Sequence, residues 1–166
     1  MGGGVLPVAY YKGHFYFLFS KEYQVKYKKK IDWRDFGGTT EKGETFKQTA
    51  IREAWEESNG FLGSKNNIKF LIEKRCLHKI KTPEKYLLYI VLIDYDKTLP
   101  KRFKMAFDKI KKTHPEKIAK KNGLYEKEKV KWIKLENIRY HMDKFQPWYK
   151  KIVKKIVVAF KNFNKN

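Results

Sequence analysis

Cysteine is almost absent. Cys76 is the one thiol in 166 residues, which excludes an internal disulfide framework and a zinc site built on cysteines and fits a reducing compartment. Long apolar runs are missing too. The longest, "YLLYIVLI" at 86–93, is too short to span a bilayer, so no membrane partner is expected. The start, "MGGGVLPVAY", lacks the charged head and long apolar region of a signal peptide. A myristoylation motif at Gly2 would want Ser or Thr where Leu6 stands. Some of the leading glycines are open to being a cloning remnant. The expectation is a cytoplasmic protein.

Negative charge is scarce as well. Asp and Glu number 18 against 39 Lys and Arg, a net charge of +21. Such an excess points to a polyanionic partner. It is almost all lysine, with arginine only at 34, 52, 75, 102 and 139, so an AT-rich coding sequence accounts for it equally well. Hydrophobic residues at 42% and aromatics at 16% supply a packed core, and the length suits one domain over 1–166.

The period of the apolar residues predicts an α+β chain. "VLPVAYY" (5–11) and "HFYFLFS" (14–20) flank Lys12-Gly13 as a β-hairpin, and the polar stretch 23–33 reads as a loop. "IKFLIEKRCLHKI" (68–80) and "KYLLYIVLIDY" (85–95) read as strands, the second covered on both faces. Residues 101–121 form a Lys-rich helical insertion, "KVKWIKL" (129–135) a strand, and the segment after Pro147 an amphipathic C-terminal helix.

Against the basic background stands "GGTTEKGETFKQTAIREAWEESNG" (37–60). It holds Glu41, Glu44, Glu53, Glu56 and Glu57 within seventeen residues. Thr45 and Gln48 make a capping box, and Asn59-Gly60 a stop, so a helix runs over 46–58. Its apolar arc is Phe46, Ala50, Ile51, Ala54 and Trp55, which places Trp55 in the core. Glu53, Glu56 and Glu57 share a face at i, i+3 and i+4. Carboxylates that close raise one another's pKa unless a cation lies between them. Arg52 is one counter-charge, and a hard divalent ion is the other.

This segment resembles the Nudix box, Gly-x5-Glu-x7-Arg-Glu-apolar-x-Glu-Glu-x-Gly. Here it runs from Gly38 through Glu44 to Arg52-Glu53-Ala54-Trp55-Glu56-Glu57, with Asn59 in place of the closing glycine. The resemblance implies a Nudix-type α-β-α sandwich around a mixed sheet and a hydrolase that attacks phosphorus with water, using Mg²⁺ or Mn²⁺. It implies that Glu53, Glu56, Glu57 and the Gly37 carbonyl ligate metal, that Glu53 ligates metal or activates water, that Arg52 orients the carboxylates, and that Glu44 supports the loop. Family members recruit a further acid before the late strand, which makes Glu126 and Glu128 candidates.

"WRDFGG" (33–38) and "GGVLPVAYY" (3–11) resemble Nudix proteins of large DNA viruses, a subgroup that includes enzymes acting on capped mRNA and on diphosphoinositol polyphosphates. The resemblance therefore implies a 5′ cap of mRNA as the leading substrate, with RNA as partner and the host cytoplasm as setting. Diphosphoinositol polyphosphates, dinucleoside polyphosphates and other small nucleotides are the alternative, and an idle, RNA-binding Nudix fold is a third reading. Trp33 and Lys42, on either side of the glycine turn, are candidate substrate contacts. Tyr10, Phe15 and Trp148 are further aromatic candidates for stacking a base. His14, His78, His114 and His141 have no ligand spacing.

Overall fold

The computed structural model describes residues 1–23, 33–119 and 122–163. Two antiparallel strands open the chain, β1 (Gly2–Tyr11) and β2 (His14–Glu22). Their two-residue turn places Lys12 at φ 48 and Gly13 at φ 80, the positive pair that matches strand twist in a tight hairpin. The loop expected at 23–33 falls almost wholly outside the described residues. The chain re-enters at β3 (Trp33–Arg34) and β4 (Phe36–Thr39).

The leading glycines are part of the sheet. Gly2, Gly3 and Gly4 are buried in β1, paired with β4 on one edge and, in parallel, with β6 (Tyr86–Leu92) on the other. A Cβ on Gly3 would come closer than 3.0 Å to the Phe46 carbonyl oxygen, and one on Gly4 would meet the Tyr86 hydroxyl and the Asp35 carboxylate. Only glycine lets helix and strand approach this closely.

The mixed sheet has seven strands in the order β3-β2-β1-β6-β5, with β4 added beside β1 and β7 (Lys127–Lys134) beside β2. Strand β5 is Cys76–Lys81. Alternation along the strands splits the core. Leu6, Val8, Phe17, Phe19, Leu88 and Ile90 face one side; Val5, Leu18, Phe36, Tyr89 and Val91 face the other. β6 is thus covered on both faces, as its apolar run predicts.

On the second face lie α1 (Phe46–Glu57), α2 (Lys65–Lys74) and α3 (Leu99–Thr113), the last anchored by Phe103. A short α4 (Pro115–Ala119) follows. The first face is covered by a 3-10 segment, Leu135–Lys144, and by α5 (Lys150–Phe163), whose Ile152, Val153, Ile156 and Phe160 are fully buried. Each such side chain contributes about 1.5–3 kcal/mol. The result is the expected sandwich.

Two expectations need correction. The stretch 68–80 is not one strand, because its first half is α2. Ser64 and Asn67 form a capping box there, and Ile68 and Ile72 bury one helical face. Trp55 is half-buried at the rim, with the Lys65 ammonium 4.7 Å from its ring. The buried arc of α1 is instead Thr49, Ala50, Ala54 and Glu57. The glycine edge of β1 admits only small residues against the sheet. No helix among the described residues is long and apolar enough to cross a membrane.

Candidate active site

Helix α1 is fixed at both ends. The Thr45 hydroxyl accepts from the Gln48 amide at 3.2 Å, and Gln48 Oε1 accepts from the Thr45 amide at 2.8 Å. At its far end Asn59 takes φ 51, so asparagine fills the left-handed position in place of glycine. Its side chain adds something glycine cannot: Oδ1 accepts from the Tyr125 amide at 3.1 Å, which ties the segment carrying Glu126 to the end of α1.

Arg52 organises one half of the site. Nε donates to Glu44 Oε1 at 2.7 Å and Nη2 to Glu44 Oε2 at 2.9 Å, a bidentate pair. Nη1 donates to Glu53 at 2.8 Å and to Glu56 at 3.3 Å, and Nη2 also to the Thr39 carbonyl at 3.0 Å. The Arg52 hydrogen bonds hold the Glu44 carboxyl down at about 2. Glu53 goes the other way. Burial, then the charge of Glu57, push it up to about 7 against the pull of Arg52. Glu56 is raised too, mainly by burial. The Glu53 carboxylate rests on Gly38, where any Cβ would collide with it.

Glu57 organises the other half. It is 1% exposed; Oε2 accepts the Gly37 amide at 2.8 Å, and Oε1 lies 3.1 Å from Lys127 Nζ and 3.3 Å from Arg34 Nη2. Glu22 receives Arg34 at 2.7 Å and Lys127 at 3.4 Å. Glu22, Glu57 and Glu126 bring carboxylate oxygens within 4.8 Å of one another. Burial, then the charge of Glu57, raise Glu126.

The structure therefore gathers Gly37, Glu44, Arg52, Glu53, Glu56, Glu57 and Glu126. It does not gather the rest. Glu128 pairs with Lys21 at 3.3 Å instead of joining the cluster. Trp33 is 9% exposed and packed in the core with Phe145, away from the acidic cluster. Lys42 is exposed in the turn between β4 and α1. Sequence reasoning missed Glu22, Arg34 and Lys127.

Hard oxygen donors converge here, and burial holds Glu53, Glu56 and Glu126 above the ordinary carboxylate range. That set fits a divalent cation, which would supply the charge that Arg52, Arg34 and Lys127 leave unmet.

A model of the NUDIX domain matches residues 11–156. The chain belongs to the Nudix family. With every charged position of the Nudix box present, it is a Nudix pyrophosphohydrolase. Among solved structures it is similar to a C. elegans Ap4A hydrolase binary complex (TM-score 0.54, 19% identity, 99% of this chain and 98% of that one). It is also similar to the NUDIX domain of Shewanella oneidensis NrtR complexed with ADP ribose (0.53, 13%, 96% and 86%). A third is a bifunctional NMN adenylyltransferase/ADP ribose pyrophosphatase from Francisella tularensis complexed with AMP and Mn ion (0.52, 22%, 93% and 40%). At these identities the likeness is one of fold. No curated protein sequence matches the Nudix chain significantly.

Behind the Nudix box lies Asp35, fully buried. Its Oδ2 accepts the Tyr86 hydroxyl at 2.6 Å, and Oδ1 has no hydrogen-bond partner among the described residues. Burial pushes its pKa up to about 6. A carboxyl raised in the fold contributes stability fully below its unfolded pKa, near 4, and loses it as pH climbs through 6. The expected result is that Asp35→Asn gains on wild type by about 2–3 kcal/mol between pH 4 and pH 7. Paired melting curves across that range check it; a difference independent of pH would refute the buried-charge reading.

Proposed function

We propose that the chain hydrolyses a phosphoanhydride of a nucleotide substrate whose base stacks on Trp148. The observation that carries this is a cavity of about 550 Å³ that runs from Gly38 and Thr39, beside Glu53, to Trp148, with Arg34, Lys151 and Lys155 on its walls. Trp148 is 44% exposed, with Tyr86 edge-on beneath it at 5.5 Å. An exposed indole above a basic wall suits a base followed by phosphates. An Ap4A hydrolase and a NUDIX domain complexed with ADP ribose, both similar in fold, support the same class.

In this reading Glu53, Glu56, Glu57 and the Gly37 carbonyl hold Mg²⁺ or Mn²⁺. Such an ion neutralises phosphate charge and lowers the pKa of bound water. Glu53 would either ligate the ion or accept a proton from the attacking water, a carboxyl that burial and Glu57 raise to about 7 in the ion-free protein. Arg52 fixes Glu53 and Glu56 through its hydrogen bonds, and Glu126 is the acid from outside the box. The whole chain, 1–166, acts as one Nudix domain.

The finer substrate is the 5′ cap of RNA. A second groove, lined by His78, Lys79, Lys81, Lys154 and Lys155, shares Lys155 with the first. A basic path thus continues beyond the cavity, which a free dinucleotide would not use and a polynucleotide would. A diphosphoinositol polyphosphate has no base for Trp148.

The test is kcat/KM on capped RNAs of increasing length at two salt concentrations, beside a cap dinucleotide, dinucleoside polyphosphates and a diphosphoinositol. Efficiency is expected to rise with length, with a salt slope growing by about −0.7 per phosphate contact. Trp148→Ala is expected to raise KM about 10-fold or more, since stacking a base contributes about 1–3 kcal/mol. Equal efficiency for dinucleotide and long RNA would leave a small-nucleotide hydrolase. Better turnover of the inositol substrate, unaffected by Trp148→Ala, would overturn the nucleotide reading.

A further inference from the structure

The acidic residues of the site fall into two groups with different counter-charges. Glu44, Glu53 and Glu56 surround the single guanidinium of Arg52. Glu22, Glu57 and Glu126 lie on the other side, where two cations, Arg34 and Lys127, already stand. Lys127 is the unusual member. It is 0% exposed, although lysine is almost never fully buried unless paired. Its ammonium lies 3.1 Å from Glu57 and 3.4 Å from Glu22, two of the three residues whose carboxylates come within 4.8 Å of one another.

The sheet builds this arrangement. Glu22 and Lys127 are register partners across β2 and β7, at the place where the ladder shifts after Lys21. The Tyr23 amide donates to the Glu126 carbonyl at 2.7 Å and locks that end of the pairing. Lys127 therefore enters from a strand end, beneath the carboxylates.

We propose that Lys127 is a resident cation of the active site. Its ammonium takes the charge-neutralising place in the Glu22–Glu57–Glu126 triangle and keeps a divalent ion out of it, so that divalent binding is confined to the Glu53–Glu56 side, with Glu57 on the border. The inference rests on the metal-binding reading above and assigns Lys127 as a positioning residue that sets how many ions the site holds. Three carboxylate oxygens this close are a hard donor set, and without the ammonium they would attract Mg²⁺ or Mn²⁺. Arg34 pairs with the same two carboxylates, Glu22 and Glu57, and no ion pair among the described residues reaches Glu126, so removing the Lys127 ammonium leaves one guanidinium for three carboxylates.

The test is a Mn²⁺ titration of the substrate-free full chain, with free Mn²⁺ read by electron paramagnetic resonance. Lys127→Met keeps the apolar stem and removes the charge. It is expected to bind one more Mn²⁺ per chain than wild type, whereas Lys127→Arg, which keeps the charge, binds the wild-type number. The double variant Glu22→Gln/Lys127→Met removes one charge of each sign and guards against misfolding of the single variant. It is expected to gain the same extra ion more weakly. Unchanged stoichiometry in both Met variants overturns the proposal even if wild type binds metal normally. Wild type that binds no Mn²⁺ sinks the metal-binding reading instead. An ion appearing only in the Met variants would still establish Lys127 as the group that excludes it.

Discussion

Glu53→Gln is expected to lower kcat by about 10²-fold or more while leaving the metal-free protein as stable as wild type or more so. The loss follows from removing a carboxylate that can bind a divalent ion or take a proton from water, contributions of the size seen when a group acting in the transition state is deleted. The stability gain follows from the sign of the pKa shift. Burial and Glu57 hold Glu53 up at about 7, so its ionisation costs stability as pH rises from the ordinary carboxylate range toward 7. An uncharged amide of the same shape removes that cost. A second readout separates chemistry from folding. Saturating Mg²⁺ should stabilise wild type, by about 2.7 kcal/mol at a hundredfold excess over Kd, and should stabilise the variant much less. Glu57→Gln should lose activity too, but for a mixed reason. It leaves Lys127 and Arg34 buried against a neutral amide, and breaking a buried pair costs about 3–5 kcal/mol. Glu53→Gln turning over normally at saturating Mg²⁺ would remove Glu53 from the chemistry.

What the sequence made legible is the part of the site whose spacing is local. Arg52, Glu53, Glu56 and Glu57 lie on one helix, and Gly38 and Glu44 on the strand and turn that lead into it, so short-range geometry brings them together. Glu22, Arg34 and Lys127 were hidden because their meeting depends on strand register. Lys127 reaches Glu22 across 105 positions, through a β-bulge that no local pattern announces. The helix α2 was readable and was missed. Ser64 and Asn67 form its capping box, but the apolar run from Ile68 to Ile80 drew attention to a strand. Trp55 shows a subtler limit. The period of α1 is right, but the centre of its buried face lies toward Thr49, Ala50 and Ala54, because the facing strand is glycine and has no room for large side chains. The same glycines looked dispensable in sequence. Their need is visible only when the helix backbone is seen against them.

That need yields the largest stability effect expected from a single methyl group. Gly3→Ala is expected to cost about 1–3 kcal/mol or more, the range of overpacking in a tight interior, and to lower kcat by about 10²-fold in the protein that still folds. The new Cβ would come closer than 3.0 Å to the Phe46 carbonyl oxygen and within 3.2 Å of the Ala50 amide nitrogen. Both are backbone atoms, so no side chain can swing aside. Relief has to come from moving the first turn of α1 away from β1. Gly3 pairs with Gly38, and the Glu53 carboxylate rests on Gly38, so the same displacement opens the seat on which Glu53 lies. A shift of about 1 Å at a reacting group is enough for a loss of that order. Truncating Ala50 should not rescue the protein, because the collision is with backbone and not with the Ala50 methyl. Gly3→Ala/Ala50→Gly is therefore expected to be worse than Gly3→Ala alone, by roughly the 0.5–1 kcal/mol that glycine costs within a helix. Melting temperature, Mn²⁺ affinity and kcat on the three proteins check this together. Rescue by Ala50→Gly would mean that side-chain packing, and not the backbone approach of α1 to β1, sets the position of the Nudix helix.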